Sequence, residues 1–387
     1  MSSLILSVSP EKAERPYYFY MTKIKVYSLE ELYYHCYHYW KQSIDDFLMG
    51  KLEEWIKLEL GLASISGQIA KIRDEYSSIT DQYIKFLGLI DYFYESELDI
   101  LRKEIFKWEN KAEWEKCKEK ADYFMGQNKP KEAIKWYKKA IVYDENGKLY
   151  NNMGVACMRM GWYEDASYFL NKANEMEPNN ISILLNLTEV YMLKGNFEQG
   201  AKYLNQAAKL EDSKKIWFYY GELYRNQGSE PEAIESYKRA IQKGDTFDSF
   251  LRLARIYIRR RDFETAEDYL EQVTNAFRNE VYWLEYAKLY EAWNKEELAL
   301  DCVQKSLEKN TKYIPAWVAL ARLYRKKRKL DEAGYAIDEA LKINEEDEEV
   351  KLERARILKE KGKKEEYQFS IKELIKRWIH RYRQDSI

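Results

Sequence analysis

Histidine, cysteine and paired acids are the side chains from which chemistry would be built. His35-Cys36-Tyr37-His38 sets two imidazoles three residues apart, so a helix would bring both near one face. The chemistry would be metal binding, but two ligands fall short of the three or four that zinc takes from protein. The remaining histidine, His380, lies far along the chain. We expect the pair to pack a helix and to hold no metal. Cys36, Cys117, Cys157 and Cys302 are widely separated, with no C-x-x-C. They read as reduced thiols, not as a disulfide framework or a zinc ribbon. Glycine-rich phosphate loops and a G-x-S-x-G elbow are absent from the sequence. No catalysis and no cofactor are expected; an enzyme would have to hide in residues 28–110.

Charge points elsewhere. Arg252, Arg255 and Arg259 recur at helical spacing on one face, and guanidinium forks suit carboxylate or phosphate. Arg325-Lys326-Lys327-Arg328-Lys329 could touch phosphates, but Glu345-Glu346-Asp347-Glu348-Glu349 is expected to oppose it. Nucleic acid wants a continuous positive track and is not the expected partner. Net charge is only −2, although residues 1–113 carry 14 basic and 19 acidic side chains and residues 351–387 carry 12 and 6. That asymmetry suggests polarity of binding. No apolar run approaches a membrane span of ~18 residues, and the first ten residues do not read as a signal peptide. A cytoplasmic protein is expected, and richness in Lys, Ile, Tyr and Glu points to a bacterial source.

The elements that position these groups are helical. Residues 1–27 read as an arm, partly extended where Lys23 to Tyr27 alternates. Ser28 and Glu31 form a capping box that opens a helix to about Trp40. A second helix is expected from Asp45-Asp46 to Gly61, then a polar stretch around Ser64, Ser66 and Gly67. Helical spacing resumes at Tyr83, and Ser96 is expected to cap a last helix through Trp108. Residues 28–110 thus read as a helical bundle.

Beyond it, one unit repeats. Trp217-Phe218-Tyr219-Tyr220-Gly221-Glu222-Leu223-Tyr224 is followed, after Gly228 and Pro231, by Ala233 and Tyr237. This closely resembles the tetratricopeptide repeat, whose pattern is W-x2-L-G-x2-Y, then A-x3-F, then P. With the small residues at positions eight and twenty, units start near 114, 147, 181, 214, 247, 280 and 314, with a degenerate cap from 348. The resemblance implies an all-α fold: a right-handed superhelical α-solenoid of seven to eight TPR helix pairs over 114–380, preceded by the small helical bundle.

It also implies that the first helix of each pair lines a concave groove at positions two, five, six, nine, twelve and thirteen. Position nine runs Asp122, Val155, Glu189, Glu222, then Arg255, Lys288, Arg322, Arg356. Met125, Met158 and Met192 share position twelve, with Asn151, Asn152 and Asn186 beside them. The second half adds Arg252, Arg259 and Arg325. The carboxylate clamp of chaperone-tail binders is incomplete: Lys118 and Asn152 fit, but Asp122, Ser182 and Asn186 do not. The expected function is a protein–protein interaction scaffold or adaptor whose groove binds a peptide or partner segment, acidic over the second half. The alternative is a peptide-responsive signalling regulator that resembles Rap-type proteins in layout, in which the ligand repositions the front bundle. The arginines are expected to face the groove and to matter little for stability.

Overall fold

The computed structural model describes residues 12–245, 247–372 and 375. Among these the chain is helical apart from one hairpin, β1 (Tyr17–Phe19) paired antiparallel with β2 (Ile24–Val26). It divides into two compact units, Met1–Pro178 and Asn179–Ile387.

The first unit opens with the hairpin and six helices: α1 (Leu29–His38), α2 (Trp40–Leu48), α3 (Lys51–Leu58), α4 (Ala63–Glu75), α5 (Ile79–Leu87) and α6 (Glu95–Glu109). Phe19 and Val26 of the hairpin join Tyr33, Ile44, Phe47, Ile56 and Phe86 in one core. Ser28 caps α1 by accepting from the Glu31 amide, while Glu31 accepts from the Tyr27 amide at 2.6 Å. Several boundaries differ from the sequence reading. α2 starts at Trp40, not Asp45, because the chain turns at Tyr39; Gly50, at φ 73°, then separates α2 from α3. The stretch around Ser64 and Gly67 is α4, held by the buried Ile69 and Ile72, and the Ser66 hydroxyl donates to the Glu53 carbonyl at 3.0 Å. α6 begins before Ser96, where the Glu97 carboxylate accepts from the Tyr94 amide.

Two helix pairs complete this unit: α7 (Glu113–Gly126) with α8 (Pro130–Tyr143), and α9 (Gly147–Arg159) with α10 (Tyr163–Met176). Salt bridges tie the bundle to the first pair, Lys41 and Lys111 to Glu119 and Lys120 to Asp45. The compact unit therefore runs past residue 110 and includes both pairs.

The second unit continues the pairs: α11 (Ile181–Leu193), α12 (Phe197–Leu210), α13 (Lys214–Gln227), α14 (Glu230–Gln242), α15 (Asp248–Arg260), α16 (Phe263–Glu271), α17 (Glu280–Ala292), α18 (Glu296–Lys309), α19 (Ile314–Lys326), α20 (Leu330–Ile343) and α21 (Glu348–Glu360). Residues 364–372 are helical as well. α16 is short and is followed by a 3-10 turn at Asn275–Phe277. The solenoid expected to run to 380 extends into residues outside those described, and His380 lies among them.

Small residues set the approach of the two helices in each pair. Position eight is Ala121, Gly154, Thr188, Gly221, Ala254, Ala287, Ala321 and Ala355, all buried. At Gly221 a β-carbon would lie 2.4 Å from the Tyr237 ring. Position twenty, from Ala133 to Ala333, is equally buried. Each pair also turns through one left-handed residue at position fifteen. Four are glycines, Gly161, Gly195, Gly228 and Gly362; the others are Asn128, Arg261, Asn294 and Arg328. No described helix is long and apolar enough to cross a membrane.

Candidate functional site: charged faces of the first helices

His35 and His38 are used in packing. His35 stacks on Phe19 at 3.6 Å, with Thr22 against Nε2 at 2.8 Å and Ser43 against Nδ1 at 3.0 Å. Burial pulls its pKa down to about 4, so the ring is neutral near pH 7. His38 lies against Tyr34 and Tyr37. The four cysteines are buried, and burial pushes the Cys36, Cys157 and Cys302 thiols up to about 12. A thiol so placed is a poor nucleophile.

The candidate groove residues fall in both units. In the first, Asp122 on α7 accepts from the Tyr137 hydroxyl at 2.6 Å and from Asn152 at 3.5 Å, and pairs with Lys118 at 2.6 Å. Asn151 donates to Asn152, and Met125 and Met158 are half-buried beside them. Lys118, one of the two side chains that fit a carboxylate clamp, is thus occupied within its own helix.

In the second unit Asn186, Met192, Arg252, Arg255, Arg259, Lys288, Arg322 and Arg325 lie on α11, α15, α17 and α19. Met192 packs against the core formed by Leu184, Leu185 and Leu223. The cations are not bare. Each lies on a carboxylate, and most of those carboxylates hold two cations. Glu222 takes Arg225 at 2.9 Å and Arg252 at 2.8 Å. Glu285 takes Arg255 through two parallel bonds of 2.8 and 2.7 Å, and Lys288 at 2.8 Å. Glu291 takes Arg322 and Lys326. Glu353 takes Arg325 at 2.6 Å and Arg356 at 2.9 Å; Arg325 also reaches Glu360, which holds Arg328. Glu230 bridges Arg259 and Arg260.

The carboxylates lie beneath and the cations on top. The Glu285 side chain is 1% exposed, whereas Arg255 and Lys288 are 39% and 44% exposed. Burial pushes the Glu285 carboxyl up, but the Arg255 hydrogen bonds and the Lys288 charge outweigh it and hold the group below the usual range. Glu291 is held down in the same way by Lys326 and Arg322. At Glu285 and Glu291, where two cations share one acid, the cluster keeps one uncompensated positive charge at its surface, whereas Asp248 beside Arg252 offsets the one at Glu222.

This arrangement corrects two expectations. Arg255 and Arg325 cover the buried carboxylates Glu285 and Glu353, so their removal would destabilise the stack. The run from Arg325 also does not oppose the acidic run at 345–349. Its ion pairs go to Glu291, Glu297, Glu353 and Glu360, while Glu346 takes Lys351 and Asp347 caps α21.

One rule underlies much of this. The residue at position nine contacts position six of the next repeat, thirty residues on: Asp122 with Asn152, Glu189 with Tyr219, Glu222 with Arg252, Arg255 with Glu285. The sign reversal at position nine is therefore matched by one at position six. Glu285, Glu353 and Tyr219 were missed because position six was followed only through Asn152 and Asn186 and was not paired with position nine of the preceding repeat. Opposite charges thirty residues apart were the available signal. The face is cut by two clefts that share Arg225 and Arg252. One, of about 250 Å³, adds Met192, Leu193, Phe218 and Asn226; the other, of about 320 Å³, adds Arg255, Arg259 and Lys288.

Repeated helix pairs with small residues at the crossings and a charged first-helix face define a helical repeat protein. The tetratricopeptide repeat family matches residues 147–180, 189–246, 249–276 and 314–347. The chain belongs to the tetratricopeptide repeat proteins, a family of protein-interaction scaffolds. It is 25% identical over 194 residues to TPR repeat-containing protein MJ1428 of Methanocaldococcus jannaschii, covering 47% of this chain and 34% of that one. It is 24% identical over 144 residues to TPR repeat-containing protein YpiA of Bacillus subtilis, covering 37% and 34%. It is 30% identical over 103 residues to the human cilia- and flagella-associated protein 70, covering 25% and 9%. The matches thus span no more than 34% of these relatives. Among solved structures, a tetratricopeptide repeat protein from Parabacteroides merdae aligns at TM-score 0.48 and 18% identity, over 62% of this chain and 96% of that one. The Cut9–Hcn1 tetramer aligns at 0.43 and 13%, over 74% and 64%.

Proposed function

We propose that this scaffold holds an acidic segment of another protein along the first-helix face of α13, α15, α17 and α19. The observation that carries the reading is the pairing of two cations with one carboxylate, which leaves positive charge on that face after every internal ion pair is made. Half-exposed arginines already ordered by a carboxylate lose little freedom when they take a second one. In this reading residues 28–110 form a bundle that caps the repeats beginning near 114. The test is fluorescence anisotropy with a labelled oligoglutamate peptide against the full chain. Binding should weaken steeply as salt rises. Arg225→Ala with Lys288→Ala, which leaves Glu222 and Glu285 each with one cation, should cost roughly tenfold in affinity. Equal binding of an oligolysine peptide, or no loss in the double variant, would overturn the reading.

A further inference from the structure

α8 differs in charge from every other second helix of a pair. It carries four lysines, Lys131, Lys135, Lys138 and Lys139, against one acid, Glu132. Elsewhere the balance runs the other way: α10 has three acids and one lysine, α16 four acids and no cation, α20 four acids and one lysine. Among the second helices from α10 to α20 only α12 is net positive, by one charge. The helical period fixes where the lysines lie. Ala133, Ile134, Tyr137 and Ala140 are buried on one face, so Lys131, Lys135, Lys138 and Val142 fall in a line on the opposite face, all exposed. At ~1.5 Å per residue that line is about 17 Å long. Like charges three and four residues apart repel along a helix. Among the described residues no ion pair relieves these four lysines, although Lys139 lies over the Trp136 ring at 5.2 Å. The line ends in apolar side chains held out in water, with Val142 83% and Tyr143 54% exposed.

We propose that the exposed face of α8 docks on an anionic lipid bilayer, which the protein touches without crossing. The lysines set their ammonium groups among the lipid phosphates and carboxylates, and Val142 and Tyr143 enter the boundary beneath the headgroups. Lysine suits a fluid surface, because it is a flexible point charge that needs no fixed partner geometry. The arginines of the first helices differ: Arg255, for one, is already forked onto Glu285. A nucleic-acid duplex would want a positive track that continues past one helix. The next second helix, α10, opens instead with Glu164 and Asp165. A line of lysines that ends in exposed aliphatic and aromatic side chains combines the two attractions that hold a helix at a membrane surface, charge and buried apolar area. The proposal concerns the first unit alone and is independent of the acidic segment proposed for α13 to α19.

The experiment sediments the full chain with vesicles of phosphatidylcholine alone and with vesicles containing about one quarter phosphatidylserine. The chain should pellet with the anionic vesicles only, and should be released as salt rises. Lys135→Gln with Lys138→Gln should lower the partition coefficient roughly twentyfold, about fivefold for each lysine near such a surface. Lys135→Arg with Lys138→Arg should keep it, since the charge is retained. Val142→Ser should lower it several-fold and leave the salt dependence unchanged. These side chains are exposed, so each variant should melt with the parent by circular dichroism. The proposal is overturned if the full chain stays in solution with anionic vesicles at low salt, or if the glutamine variant pellets as the parent does. It is also overturned if a duplex oligonucleotide binds the chain more tightly than the anionic vesicles and loses that binding in the glutamine variant, which would make α8 a nucleic-acid surface.

Discussion

In the first unit the carboxylate at position nine, Asp122, sits among one cation and two neutral donors, Tyr137 and Asn152. In the second, Glu222 has the same tyrosine partner, Tyr237 at 2.5 Å, but two arginines in place of the lysine and asparagine. The backbone frame is the same, since both tyrosines lie fifteen residues after the acid. The difference is in what is left over. Asp122 and its partners are balanced, and the arrangement contributes hydrogen bonds of about 1 kcal/mol each. The clusters from Glu222 to Glu353 keep two cations close together, which costs repulsion that a balanced pair would avoid. In the proposed reading, that retained charge is what an acidic partner would meet. The comparison separates a face whose charges are balanced from one that the proposed function would use for recognition.

The largest expected effect lies at the cluster with the deepest carboxylate. Arg255→Ala leaves Glu285 buried with Lys288 alone and should cost about 3 kcal/mol in urea unfolding. Arg255→Met with Glu285→Met should recover most of that. If the single change is silent, the clusters are surface decoration and the contrast between the units collapses.

Acid should separate the units next. His35 holds a pKa of about 4 against an ordinary 6.5, so between those values the unfolded chain takes a proton that the folded one refuses. Stability of the first unit should fall across that window by roughly 3 kcal/mol and level off below it. Glu285 and Glu291 are held low, so their contribution is full above the ordinary carboxylate value and is lost only as pH falls through their depressed folded values. Samples equilibrated at each pH and pulse-labelled by amide exchange at one fixed pH should show the first unit weakening first. His35→Gln should flatten its profile.

A smaller effect tests the balanced face. Asn152→Ala removes one neutral donor from Asp122 and should cost about 1 kcal/mol, with no change in oligoglutamate binding. A loss of binding in this variant would move recognition into the first unit.

The smallest concerns the turns. Arg261 and Arg328 hold φ near 61° and 59° where other repeats place glycine. Arg261→Gly should raise stability by about 0.5 kcal/mol, the relief of left-handed strain exceeding the added chain entropy. A fall in the thermal midpoint would show that the guanidinium there is held by contacts worth more than the strain.

Legibility followed range. Ser28 as a cap was readable because its partner is three residues away. The alanines and glycines at positions eight and twenty were readable because a period of 33 or 34 repeats the same crossing. The boundaries around Tyr39, Gly50 and α4 were not, because serines and a glycine mimic a loop until Ile69 joins the bundle core. Likewise Arg255 looked like a free groove residue, since nothing within four positions of it is acidic. The sequence by itself determined the period and the crossings, both of which depend on neighbours along one helix pair. Only the tertiary structure decided which carboxylate each cation holds and how many cations share it. Those contacts join successive repeats across about thirty residues, and whether Glu285 is buried under Arg255 depends on how the two helices stack.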